Sequence, residues 1–194
     1  MDKKDKEIIV AAAIKRFSHY GYSKTAMAEI AADCDMSVGN LYRFYKNKED
    51  IAVEGARTCM VDKAEAGELA ATQAKSPALA LNAYCLARLR YLHRFVSDTP
   101  HMFELVELIA GKHKDVLQQF EDRACRAIRT IIVDGVDRGV FRRCNAEEVA
   151  MDIYNATTKY NMPLCMDASL SQLEAELGSL LDLVHAGLKA EKKS

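Results

Sequence analysis

Apolar residues recur every three to four positions over most of the chain, and that spacing predicts a succession of helices. Ile8, Ile9, Ala12, Ala13, Phe17 and Tyr20 form a first stripe, which ends at Gly21. Two much shorter segments follow. Ile30 and Ala31 mark the inner face of one, Met36 plugs the turn after it, and Leu41 and Tyr45 repeat at i, i+4 in the next. Ser37 is placed to cap this second short helix, its hydroxyl accepting from an otherwise unpaired N–H of a helix that begins at Val38. Asn47 is a further N-cap, for a helix that starts at Lys48, has Asp50 in its first turn, carries Ile51, Ala52, Ala56, Cys59, Met60 and Lys63, and fades over Ala64 to Ala74.

Ser76-Pro77 opens a fresh helix to about Val96, with Asp98-Thr99-Pro100 as its stop. Met102 to Ala110 is a short helix with Phe103, Val106 and Ile109 on one side, closed by Gly111. From His113 the longest stripe (Val116, Phe120, Ala124, Ile128, Ile132, Val136) runs to a glycine stop at Gly139. Asn145 with Glu148, and Ser169 with Gln172, have capping-box spacing. The first pair starts a helix expected to reach Pro163, with Val149, Ile153, Ala156 and Tyr160; the second starts one carrying Leu170, Leu173, Leu177, Leu180, Leu181, Val184 and Leu188. Gly is 9 and Pro 3, and the Asp134-Gly135 step lies inside a helical pattern, so no hairpin is predicted and the fold class is all-α.

With 194 residues, 49% of them apolar, the chain is long enough to bury a substantial core, divided here into a small unit over 1–51 and a larger one over 52–194. Total charge discriminates little, since 27 basic residues face 28 acidic ones. Residues 1–51 hold nine basic and eight acidic side chains, so attraction to an anion has to come from placement: Lys24, Arg43, Lys46 and Lys48 gather near the second short helix, with Asp33 and Asp35 close by. A charged N-terminus without an apolar core, and no run of eighteen apolar residues, lead to the expectation of a soluble cytoplasmic protein with no membrane partner. The six cysteines have no CxxC spacing, which argues against zinc or a disulfide framework; they read as small buried residues, with a thiol sensor as the alternative.

Two short helices across a tight turn, the second showing Asn40, Tyr42 and Arg43 outward from its N-terminal half, have the form of a helix-turn-helix that enters a DNA major groove. The order Thr25, Ile30-Ala31, Ser37, Gly39, Leu41-Tyr42, an aromatic at 45, Lys48-Glu49 and an aliphatic at 51 resembles the DNA-binding signature of TetR-type transcriptional regulators, over about a quarter of the chain. Asp35 stands where that family usually has a turn glycine, and Phe44 where a phosphate-contacting histidine is common. The resemblance implies an N-terminal three-helix DNA-binding unit joined to a larger helical ligand-binding and dimerisation domain, and a homodimer that represses from a palindromic operator. On that reading Val38 and Asn40 touch bases, Thr25, Ser37, Tyr42 and Lys48 hold phosphates beside Arg43 and Lys46, and Gly39 permits close approach. The last two long helices then form the dimer seam through Tyr160, Leu173, Leu177, Leu180 and Val184.

An inconsistency in the fifth helix suggests an effector pocket. Arg88 falls within an apolar stripe of Leu81, Cys85, Leu92 and Phe95, and an inward guanidinium needs a carboxylate or an anionic ligand; the alternative is that it snorkels outward or pairs with Glu104 or Glu107. Met60, Met102, Phe103, Val106, Phe120 and Tyr154 are the candidate apolar wall, and the effector is expected to be small and largely apolar. No cofactor is expected. Neither a Gly-rich phosphate loop, HExxH nor GxSxG occurs, so an enzyme lacks support. His93, His101, Glu104, Glu107 and His113 are the nearest approach to a metal site, which leaves a metal-binding or interaction bundle that ignores DNA as the second class of reading.

Overall fold

A computed structural model describes residues 3–97, 101–166 and 168–190, and these are helical with no β-strand among them. The elements are α1 (Lys3–Tyr20), α2 (Met27–Asp33), α3 (Val38–Phe44), α4 (Lys48–Thr72), α5 (Pro77–Ser97), α6 (Met102–Lys112), α7 (Lys114–Asp137), α8 (Ala146–Ala156) and α9 (Leu170–Leu188). The expected stop at Asp98-Thr99-Pro100 lies outside the described residues. Side-chain oxygens begin the helices where the sequence placed them: Asn47 accepts from Asp50 N–H at 2.8 Å, Ser76 from Leu79 at 3.3 Å, Asn145 from Glu147 at 3.1 Å and Ser169 from Gln172 at 3.3 Å. α8 is shorter than expected. Thr157 turns its hydroxyl back to the Ile153 carbonyl at 2.8 Å, and the chain tightens into 3-10 turns at Thr158–Asn161 and Pro163–Cys165.

The chain forms two units. The first comprises Met1–Val61 with Phe95–Leu117, the second Asp62–Arg94 with Gln118–Ser194. The boundary expected after Ile51 is therefore displaced: the first unit continues along α4 and takes in α6. Packing is the cause, because Leu105 of α6 belongs to the same buried cluster as Ile9, Ala13, Phe17, Ile30 and Leu41, with Leu108 against it. Ile8 and Tyr20, expected on the inner stripe of α1, are 46% and 52% exposed, and Val10 is buried instead.

The second unit centres on Leu81, Tyr84 and Leu89 of α5, Ile128 and Ile132 of α7, and Leu173, Leu177 and Leu181 of α9. Gly135 stays helical because α7 must admit Phe141: a Cβ there would sit 2.0 Å from the phenyl ring. The proposed seam needs correction. Leu173, Leu177 and Tyr160 are 1%, 0% and 7% exposed within one chain, so they fill its own core, while Leu180 and Val184 are half-buried. α9 carries leucines on more than one face, and the helix pattern alone did not separate the inner face from Leu183, which is 71% exposed.

Candidate nucleic-acid interface

The turn between α2 and α3 is built by backbone geometry. Asp35 adopts φ +53°, a left-handed conformation that Asp tolerates better than most residues, so the turn forms without the glycine expected there. Met36 packs beneath it and Phe44 packs against the same cluster, which accounts for an apolar residue where a phosphate-binding histidine was expected. Ser37 accepts from Asn40 N–H at 3.2 Å, leaving its hydroxyl hydrogen free to donate outward. Glu29 reaches back to Ala26 N–H at 2.8 Å at the start of α2.

The outward face of α3 follows the expectation. Val38, Tyr42 and Arg43 are exposed and Asn40 is half-exposed, while Leu41 is fully buried. A Cβ on Gly39 would meet nothing within 4 Å, so nothing in the protein's own packing requires glycine at that position. Lys24 and Lys46 are also exposed. Asp33, which threatened to repel an anion, is held by Arg16 through two hydrogen bonds of 2.6 and 2.8 Å; that contact keeps its carboxyl below the usual range.

Two of the proposed phosphate contacts are corrected. Thr25 is 3% exposed and its hydroxyl donates to the Gly21 carbonyl at 2.9 Å, so a phosphate cannot reach it. Lys48 points inward. Its ammonium donates to the carbonyls of Tyr22 at 2.7 Å, Thr25 at 3.0 Å and Ser23 at 3.3 Å, and lies 4.4 Å from the centre of the Tyr22 ring. It fastens the start of α4 to the α1–α2 connection. No sequence signal separates such a lysine from one that reaches out.

α6 contributes contacts to this unit that the sequence did not reveal. Glu104 accepts from Ser23 N–H at 2.6 Å, which lowers its carboxyl below the usual range, and His101 N–H donates to the Ser18 carbonyl at 3.3 Å. At the other end Lys112 and His113 engage Glu49 of α4 at 3.2 and 2.9 Å. Among the described residues no three His, Cys, Asp or Glu side chains cluster to hold a metal.

The expected pocket residues are distributed over both units. Met60, Phe103 and Val106 belong to the first, whereas Cys85, Arg88, Leu92, Phe120 and Tyr154 belong to the second. Phe103 is 61% exposed and so walls no enclosed cavity; the side chain of Met102 lies outside the described residues. A cleft of about 470 Å³ in the second unit lies instead along α4, α5 and α7, lined by Ala71, Ala80, Tyr84, Ala127 and Ile131 with Glu68 and Arg123 among its polar groups. It shares none of the expected residues. Arg88 neither snorkels nor meets Glu104 or Glu107: it is 6% exposed and donates to the Tyr84 hydroxyl at 3.0 Å. All six cysteines are free, and burial pushes the thiols of Cys34 and Cys125 up and that of Cys85 to about 12, which disfavours the reactive thiolate at these three positions.

Comparison with known proteins agrees with this architecture. Residues 9–54 match the family model of bacterial regulatory proteins of the tetR family, and residues 77–180 match that of the tetracyclin repressor-like C-terminal domain. An uncharacterised HTH-type transcriptional regulator of Bacillus subtilis, YhgD, is 27% identical over 152 residues, covering 75% of this chain and 76% of its own. Among solved structures, a transcriptional regulator from Cytophaga hutchinsonii superposes with a TM-score of 0.78 at 21% identity, over 97% of this chain and 100% of that one. The regulator PfmR from Thermus thermophilus does so with 0.64 at 24% identity, over 93% and 98%.

Proposed function

The chain belongs to the TetR family and is a DNA-binding transcriptional regulator rather than an enzyme, and on that premise we propose that it acts as a homodimeric repressor, bound to a palindromic operator and released by a small, largely apolar effector. The outward face of α3 carries the reading. Val38 and Tyr42 are apolar surfaces left exposed on a short helix whose inner side is fully buried, and Gly39 between them has no internal reason to lack a side chain. In this reading Val38 and Asn40 meet base edges in the major groove, and Ser37, Tyr42, Arg43, Lys46 and Lys24 hold the backbone.

Dimerisation is assigned to the outer faces of α8 and α9, where Met151 is 39% and Leu183 71% exposed, in place of the leucines that fill the core. A two-fold protein imposes two-fold symmetry on its site. For release, α6 is the natural lever, because Glu104 grips the α1–α2 connection and His101 the end of α1, while Lys112 and His113 grip the start of α4. The effector must favour the released state by its own differential affinity.

Selection of bound duplexes from random DNA tests the proposal. It should recover inverted repeats with half-sites about one helical turn apart or somewhat more; recovered sequences without two-fold symmetry would sink the palindrome and the dimer together.

A further inference from the structure

Arg88 lies on α5 in the interior of the second unit, 6% exposed, and its environment is built for it. A Cβ added to Gly67 of α4 would sit 2.8 Å from Arg88 Cγ and 3.0 Å from the Tyr84 ring, so that glycine makes room for the pair. Yet the guanidinium is poorly matched. Nη1 donates to the Tyr84 hydroxyl at 3.0 Å, Nε has no acceptor, and no carboxylate lies within ion-pair distance among the described residues. Glu68 feels the charge of Arg88, but Arg123 already holds both its oxygens at 2.8 Å. One carboxylate therefore serves two guanidiniums. Because arginine stays protonated and a buried charge met only by the Tyr84 hydroxyl and, at 5.1 Å, by the Tyr84 ring is strongly unfavourable, this part of the core lacks one negative charge and an acceptor for Nε.

We propose that Arg88 and Tyr84 receive the carboxylate of a small organic acid. The Nε N–H of Arg88, which has no acceptor in the protein, can donate to one carboxylate oxygen, and the Tyr84 hydroxyl, an acceptor from Nη1, has its own hydrogen to donate to the other. A monoanion balances the single unmatched charge, whereas a phosphate dianion would exceed it and face Glu68. Tyr84, on which Arg88 rests, and Glu68 wall the cleft of about 470 Å³, which Arg88 itself does not line and whose Ala71, Ala80, Ala127 and Ile131 suit an apolar body of modest size. The inference rests on the effector reading above and narrows its chemistry to an acid.

Calorimetric titration of the full-length protein with straight-chain acids from butanoate to dodecanoate, each beside its primary amide, tests it. At least one acid should bind, its amide should bind about tenfold more weakly or worse, and Arg88→Met should abolish that preference. Tyr84→Phe should weaken the acid severalfold, which keeps the test open if Arg88→Met fails to fold. Binding of no acid in the series, equal binding of acid and amide, or undiminished acid binding by Arg88→Met would overturn the inference. A neutral compound that still released operator would then leave the effector reading standing, and only the failure of every small molecule to release operator would remove that reading.

Discussion

Replacing Lys48 by methionine removes the ammonium and keeps the apolar stem, and it separates two roles for this residue. The structure assigns it three carbonyls, two of them part-buried, on Tyr22 and Thr25. Leaving a part-buried carbonyl without its charged donor costs about 1–2 kcal/mol each. The third, on Ser23, is exposed and recovers water. Loss of the contact with the Tyr22 ring adds about 0.5–1 kcal/mol, and the variant is spared about 1 kcal/mol of ammonium desolvation. The net destabilisation is about 3 kcal/mol, or about 6–12 °C in Tm for a chain of this size. Thermal melts measure it, with hydrogen exchange at residues 22–26 locating the loosened segment. Operator affinity should fall while the slope of log affinity against log salt stays unchanged, because no phosphate contact is lost. An unchanged Tm together with a salt slope lower by about one unit would refute the inward assignment and restore Lys48 as a phosphate ligand.

Gly135→Ala forces a methyl group into Phe141 and should cost about 1–3 kcal/mol, read as a lower denaturant midpoint; an unchanged midpoint would mean the ring is not where it is described. Leu183→Glu should yield monomers in sedimentation with the fold intact, whereas Leu177→Glu should unfold the second unit; a dimeric Leu183→Glu would move the seam elsewhere. Arg123 holds the carboxyl of Glu68 below its ordinary range. The unfolded chain therefore binds the proton first, and the stabilisation is full above the ordinary carboxylate pKa and lost as pH falls through the lowered one. Glu68→Gln should lower Tm at pH 7, with the gap from wild type closing as melts move below about pH 4; a gap independent of pH would contradict the pairing.

The DNA unit was legible because its constraints are local. Caps at Ser37 and Asn47, the apolar pair Ile30 and Ala31, and an i, i+4 repeat at Leu41 and Tyr45 each act within one or two turns of their own position. What escaped involves distance along the chain. The return of α6 to the first unit depends on Leu105 meeting residues some ninety positions earlier, and a stripe of apolar residues does not name its partner. The same limit hid the directions of Lys48 and Thr25, whose acceptors are backbone carbonyls and carry no side-chain signature. In α9 the abundance of leucine masked which face is inner, and Leu183 was passed over in favour of residues that the chain buries for itself. Arg88 was the reverse case: a charge inside an apolar stripe is buried with that stripe, yet the cleft found in the second unit is lined neither by it nor by the walls expected around it.

The most direct test of DNA reading through the outer face of α3 is a competition titration of wild type and Asn40→Ala against a selected palindromic duplex and its scrambled counterpart at one fixed salt concentration. Wild type should prefer the selected duplex by about a thousandfold or more, and Asn40→Ala should lose about 1–3 kcal/mol of that preference at a single base pair in each half-site, with its affinity for scrambled DNA unchanged. Equal affinity of wild type for the two duplexes, or an Asn40→Ala variant with its preference intact, would contradict it.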